Sequence, residues 1–138
     1  MKIAVDAMGG DFAPKEIVAG AILAAKRYDC EIVLVGDQTQ IQKELDKNYP
    51  EWRKSTISIH HASDVVGMGE HPGVAVRRKK DSSIVVATRL VKEGKCDAVL
   101  SAGNTGAAAA SALFILGRIK GIDRPSIATP IPDRKSVV

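Results

Sequence analysis

An α/β sandwich built on a mainly parallel sheet is the fold class this chain predicts, and three observations predict it. Strand-sized apolar runs alternate with helix-period stripes along the chain. The strand runs are almost continuously apolar, as strands covered on both faces are. Small-residue turns rich in glycine and aspartate follow three of those runs, at residues 6–11, 36–37 and 101–106. This rhythm places helices on both sides of one sheet, three layers in all. The 138 residues suit one domain, and 45% hydrophobic with 26% charged residues is an ordinary globular composition.

The elements follow in order. Lys2-Ile3-Ala4-Val5 is the first strand, and Asp6-Ala7-Met8-Gly9-Gly10-Asp11 is the turn after it. Pro14 suits the opening turn of a helix that runs to Tyr28, with Ile17, Val18, Ala21, Ile22 and Ala25 as its stripe. Glu31 to Val35 is a strand ending at Gly36-Asp37, and Thr39 to Lys47 is a polar helix with Ile41 and Leu45 facing inward. Thr56 to His60 alternates and predicts a third strand, and Val65 to Gly73 is a glycine-rich connection. Ser82 to Glu93 is a helix with Ile84, Ala87, Thr88 and Val91 as its stripe and Gly94 as its stop. Asp97 to Leu100 is a strand, Thr105 to Leu116 a helix, and a short strand is expected near Ser126–Thr129. Arg134 to Val138 has the pattern of a further strand that is cut short. The chain is therefore expected to be a fragment or truncated form of a longer protein.

In parallel sheets, ligands bind in the crevice outside the carboxyl ends of the strands. The three turns should lie along that edge. Most informative is Ser101-Ala102-Gly103-Asn104-Thr105-Gly106-Ala107, a tight strand-to-helix turn of small and polar residues. Glycine permits close backbone approach, and the free N–H groups of a new helix attract an anion, so phosphate or carboxylate is the expected ligand. Asp6 and Asp11 flank the Gly9-Gly10 turn, where carboxylates are suited to holding a metal, orienting a lysine or capping the helix. Arg77-Arg78-Lys79-Lys80 directly precede a helix start at which Asp81 or Ser82 can cap. Such a run is a solvated face, an anion holder, or a dock for an acidic partner.

Several classes are disfavoured. The net charge of +4 suits an anionic ligand without demanding one, and at 4% aromatic residues the chain lacks stacking platforms for nucleic acid. Cys30 and Cys96 have no metal-type spacing and fit reduced thiols of a cytosolic protein. His60 and His61, adjacent on a strand, point to opposite faces, and His71 sits in a loop, so no metal site is expected. Neither a dinucleotide fingerprint, nor a Walker A motif, nor a nucleophile elbow occurs. Asp6 interrupts the first apolar run too early for a signal peptide, and Ala107 to Leu116 is too short to span a bilayer. A soluble cytoplasmic protein is expected, with peripheral membrane association compatible. An enzyme with these residues would take its nucleophile from its substrate.

Asp6-Ala7-Met8-Gly9-Gly10-Asp11, the Arg77…Asp81-Ser82-Ser83 segment and Ser101-Ala102-Gly103-Asn104-Thr105-Gly106-Ala107, in this order, resemble the phosphate acyltransferase (PlsX) family of bacterial phospholipid synthesis. The resemblance implies transfer of an acyl group from acyl carrier protein to inorganic phosphate, giving acyl phosphate. It also implies a fold akin to isopropylmalate dehydrogenases and phosphotransacetylases, a homodimer, and no cofactor or metal. Members of the family extend well beyond Val138, so the resemblance covers their N-terminal part and implies that residues 1–138 are the N-terminal part of a single, incomplete α/β acyltransferase domain. Phosphate is then itself the nucleophile, and the protein must bind it, aim it at the thioester carbonyl and stabilise the oxyanion. On this resemblance Asp6, Arg77 and Asn104 are the expected catalytic residues. Gly9, Gly10, Gly103, Thr105 and Gly106 are expected to bind phosphate, and Asp11, Lys79, Lys80, Ser82 and Ser83 the substrate or carrier protein. Alternatives are phosphotransacetylase-like acyl transfer and a non-catalytic module that binds an anion or the carrier protein.

Overall fold

The computed structural model describes residues 1–123 and 125–128. Its strands are β1 (Lys2–Asp6), β2 (Glu31–Gly36), β3 (Ile57–His61) and β4 (Ala98–Ser101), and its helices α1 (Lys15–Arg27), α2 (Gln38–Asn48), α3 (Pro72–Arg78), α4 (Ser83–Lys92) and α5 (Thr105–Ser111). The four strands form one parallel sheet in the order β3-β2-β1-β4. Chain order thus reverses around β1: β2 and β3 add on one side and β4 on the other. That reversal opens a crevice between the β1 and β4 turns, where ligands of such sheets sit.

Strand alternation sorts the core into two layers. Val5, Ile32, Leu34 and Ile57 face α1 and α2, meeting Val18, Ala21, Ile22, Ile41 and Leu45. Ala4, Val33 and Val35 face α4 through Val86, Ala87 and Leu90. A third cluster, Val66, Ala75, Val76, Ile84, Val85 and Ala107, ties α3, α4 and α5 together. The predicted α/β/α arrangement of parallel strands and flanking helices is therefore present.

Four elements differ from the sequence expectation. α4 is no half-buried stripe: Ser83 to Thr88 and Leu90 are all buried, because the sheet packs on one side and α3 and α5 on the other. α3 forms inside a stretch expected to be connection and charge run. Pro72 opens it and only Ala75 and Val76 are buried, too few positions to show a period. Past α5 the helix widens into a π-helical segment, Ala112–Leu116. Residues 125–128 adopt no strand, so the strand expected near Ser126–Thr129 is not seen there. Thr129 and the Arg134–Val138 segment lie outside the described residues.

Candidate functional site

Asp6 and Ser101 are opposite each other in the β1–β4 register, so both turns leave the sheet at one place. The Ser101 hydroxyl donates to Asp6 Oδ2 at 2.8 Å and accepts from the Gly103 N–H at 3.1 Å. Asp6 Oδ1 accepts from the Met8 N–H at 3.3 Å. The Asp6 side chain, in a residue only 3% exposed, is a joint between the two turns. The group it orients is a serine rather than a lysine, and it caps no helix.

The glycines are explained by the meeting of these turns. A Cβ on Gly103 would stand 2.8 Å from Gly9 Cα, and one on Gly10, whose φ is +108°, 3.0 Å from the Ala102 carbonyl oxygen. Backbone lies directly on backbone. A Cβ on Gly106 would stand 2.5 Å from Pro72 Cγ of α3. The expectation that these glycines make room for a ligand gives way to a different cause: the missing side chains make room for neighbouring protein. What remains for a ligand is the backbone itself. The N–H groups of Gly9, Gly10, Asn104, Thr105 and Gly106 have no hydrogen-bond partner among the described residues. Such clustered donors beside a helix start favour an anion.

Asn104 is fully engaged by protein. Its Oδ1 accepts from the Ala107 N–H at 3.0 Å, capping α5, and its Nδ2 donates toward the carbonyls of Gly67, Met68 and Glu70, each at 3.2 Å. An amide nitrogen has two hydrogens, so its donors are spent on that loop. Asn104 therefore shapes the site instead of presenting a free donor to a ligand. Loop 65–71 is a component that sequence reasoning passed over; Gly67-Met68-Gly69-Glu70 was the available turn signal.

The basic run splits three ways. Lys79 Nζ donates to Glu70 Oε1 and to the Val65 carbonyl, both at 2.7 Å, with Asp64 Oδ1 at 3.6 Å. The ammonium holds the Glu70 carboxyl below the usual carboxylate range, and Glu70 in turn raises Lys79 above the usual lysine value. Lys79 is thus a brace within the protein. Arg77 lies five residues after Pro72, about 7 to 8 Å further along the axis of α3, and its guanidinium stacks 4.9 Å from the Phe114 ring centre. The structure does not bring Arg77 to the Asp6–Ser101 joint. Instead Arg77, Lys80 and Arg89 rim a groove of about 530 Å³ floored by Val85, Phe114 and Ile115. Arg89, which the sequence did not single out, also donates to the Lys80 carbonyl at 2.8 Å. Arg78 ends α3 as an exposed residue.

Ser82 and Ser83 are buried, at 0% and 1% exposure, so neither hydroxyl is presented to a docking protein. Ser82 is the N-cap of α4 by position, yet its side chain makes no capping bond. Nor does Asp81 cap. Its carboxylate accepts from the Ser63 N–H at 2.9 Å and from the Ser63 hydroxyl, which hold it below its ordinary value. Asp11 is exposed beside the Gly9-Gly10 turn. Cys30 and Cys96 are free and buried, and burial pushes the Cys96 thiol up. Among the described residues no group of three or more His, Cys, Asp or Glu is placed to hold a metal, and no helix is long and apolar enough to cross a membrane. An apolar hollow of about 540 Å³ lies along α1 beside Leu100, but it contains none of the loop donors.

These features define a class: an α/β sandwich whose carboxyl edge gathers unspent backbone donors between two glycine turns. The comparison with known proteins specifies it. A family model described as "Fatty acid synthesis protein" matches residues 1–138, and the chain belongs to that family. It is 62% identical over 138 residues to the phosphate acyltransferase of Desulforamulus reducens, matching 100% of this chain and 40% of that protein. The phosphate acyltransferase of Pelotomaculum thermopropionicum is 58% identical, with 99% and 39% covered, and that of Clostridioides difficile 50% identical, with 98% and 39% covered. The chain thus spans about 40% of the length of these curated relatives.

Proposed function

We propose that this chain carries the phosphate-binding part of a phosphate acyltransferase, which forms acyl phosphate from inorganic phosphate and the thioester of an acyl carrier protein. The observation that carries the reading is the meeting of the Gly9-Gly10 and Gly103–Gly106 turns, with five N–H groups left unspent among the described residues. A phosphate oxygen attacks the thioester carbonyl, the tetrahedral oxyanion collapses, and the carrier thiolate leaves. Neutral backbone donors suit this chemistry, because they fix the dianion without quenching its nucleophilicity as tightly paired cations would. Asp6 and Ser101 contribute by locking the two turns together.

The carrier protein is acidic on this reading, and the groove rimmed by Arg77, Lys80 and Arg89 is its docking face. Asp11 is exposed at the mouth of the loop pair, where a carboxylate steers the thioester arm by hydrogen bonding. The whole protein acts as a cytoplasmic homodimer, with any membrane association peripheral.

Phosphorus NMR of inorganic phosphate titrated with the protein tests the binding half. Line broadening that Gly10→Ala abolishes supports the reading, and phosphate that stays sharp at every protein concentration refutes it. Phosphate-dependent consumption of acyl carrier protein thioester, with acyl phosphate as product, tests the chemical half.

A further inference from the structure

Resting on the phosphate reading, a second layer of the site becomes visible in the loop that faces α5. Residues 67–70 form a turn closed twice. The Glu70 N–H donates to the Gly67 carbonyl at 3.2 Å, and the Gly67 N–H donates back to Glu70 Oε1 at 2.7 Å. The same Oε1 accepts from Lys79 Nζ at 2.7 Å, and Lys79 also reaches the Val65 carbonyl, so the strap is pinned at both ends to the end of α3. The product of this bracing is three carbonyl oxygens aimed at one nitrogen, Asn104 Nδ2. Asn104 cannot then rotate, and its Oδ1 stays on the Ala107 N–H. That bond consumes one first-turn donor of α5, while the N–H groups of Thr105 and Gly106 meet no acceptor among the described residues.

We infer that Glu70 and Lys79 are positioning residues for the anion site: they brace loop 67–70, the loop locks the Asn104 amide, and the locked amide holds the first turn of α5 in the orientation that binds phosphate. Neither residue is placed to touch the anion, since the one is spent on the other. The geometry separates this from a merely stabilising ion pair. Both side chains are about one-third exposed, at 38% and 30%, where an isolated pair contributes little to stability, yet they converge on one hydrogen-bond junction.

The experiment compares the parent chain with Glu70→Gln, Glu70→Ala, Lys79→Met and the Glu70→Ala/Lys79→Met double variant. Two quantities are measured well below the melting temperature. One is hydrogen exchange of the Asn104 side-chain amide by nitrogen-15 NMR; the other is the affinity for inorganic phosphate. Expected are an Asn104 exchange rate about tenfold faster in either single variant and a phosphate dissociation constant raised about fivefold. The double variant should be no worse than either single one, because the residues act as one unit. Glu70→Gln, which keeps the shape and the Gly67 bond, should lie between. An unchanged Asn104 exchange rate overturns the inference, as do single effects that simply add. Faster Asn104 exchange with unchanged phosphate affinity also overturns it while leaving the phosphate reading intact. A parent chain that binds no phosphate overturns both, and where the parent does bind, loss of binding in Gly10→Ala, which does not touch the brace, upholds the phosphate reading independently of Glu70 and Lys79.

Discussion

Two regions of this molecule gather positive potential, and they do so by opposite means. At the carboxyl edge, charge is fractional and fixed: backbone N–H groups of two glycine turns are held by Asp6, Ser101 and Asn104 in a frame with no room for a methyl group. At the groove between α3, α4 and the π-helical segment, charge is whole and mobile, carried by the long side chains of Arg77, Lys80 and Arg89 over Phe114. A rigid array of partial charges suits a small anion whose position decides whether it reacts. A fringe of solvated cations suits a broad acidic surface, which it attracts from a distance without fixing. The two jobs of the proposed reaction, aiming phosphate and recruiting the carrier, map onto these two constructions.

The difference breaks most sharply at Gly103. A valine there must displace Gly9 backbone, and overpacking of this kind costs on the order of 1–3 kcal/mol or more. Gly103→Val should lower the melting temperature by several degrees and abolish phosphate binding together, where side-chain blockage alone would have spared the fold. A stable variant that still broadens the phosphate signal would show that the turns do not meet as described. Next in size is Asp6→Asn. It keeps the shape but replaces an acceptor of two bonds with a group that must turn one N–H toward a donor, an expected loss of about 1–3 kcal/mol in urea denaturation.

At the groove the pattern should reverse. Arg77→Ala removes a cation–aromatic contact of about 0.5–1 kcal/mol, so stability and phosphate affinity should scarcely change. Association with an acidic carrier should weaken, and raising ionic strength should erase the difference between the parent and the variant. Salt-independent carrier binding, or lost phosphate binding, in Arg77→Ala would collapse the distinction between the two regions.

The smallest effect concerns pH. Glu70 is held below its ordinary value, so its contribution is complete above about pH 4.3 and fades as pH falls through the lowered folded value. Lys79 is held above its own, so its contribution is complete below about pH 10.4 and fades as pH rises through the raised folded value. The stability gap between the parent and Glu70→Gln should therefore be flat across neutral pH and close only in acid, below the ordinary glutamate range. Thermal melts of both proteins over that range measure it. A gap that varies between pH 6 and 8 would mean that another group controls the loop.

Much of this was legible in the chain because it is written in local patterns. The β1 and β4 runs, the α1 stripe at Val18, Ala21 and Ile22, and the start of α5 at Thr105 each depend on neighbours a few residues away. The small-residue turns after β1 and β4 are legible for the same reason. α3 was not, since a seven-residue helix with two buried positions has no period to detect. Nor does the basic run Arg77–Lys80 show in its sequence which neighbours its members face once α3 ends at Arg78 and Lys79 turns inward.

The alternation of strands and helices, the covered parallel sheet and the turns rich in small polar groups are all written in the chain. Periodicity and backbone preference act over a turn or two of chain, so they can be read from it. What those residues do for one another depends on contacts between distant parts of the chain. Asp6 meets Ser101 across 95 residues, Gly103 presses on Gly9, and Asn104 finds carbonyls 34 to 37 residues upstream. Those contacts follow from the placing of β4 beside β1, a choice made by burying both sheet faces at once and expressed in no local segment of the chain.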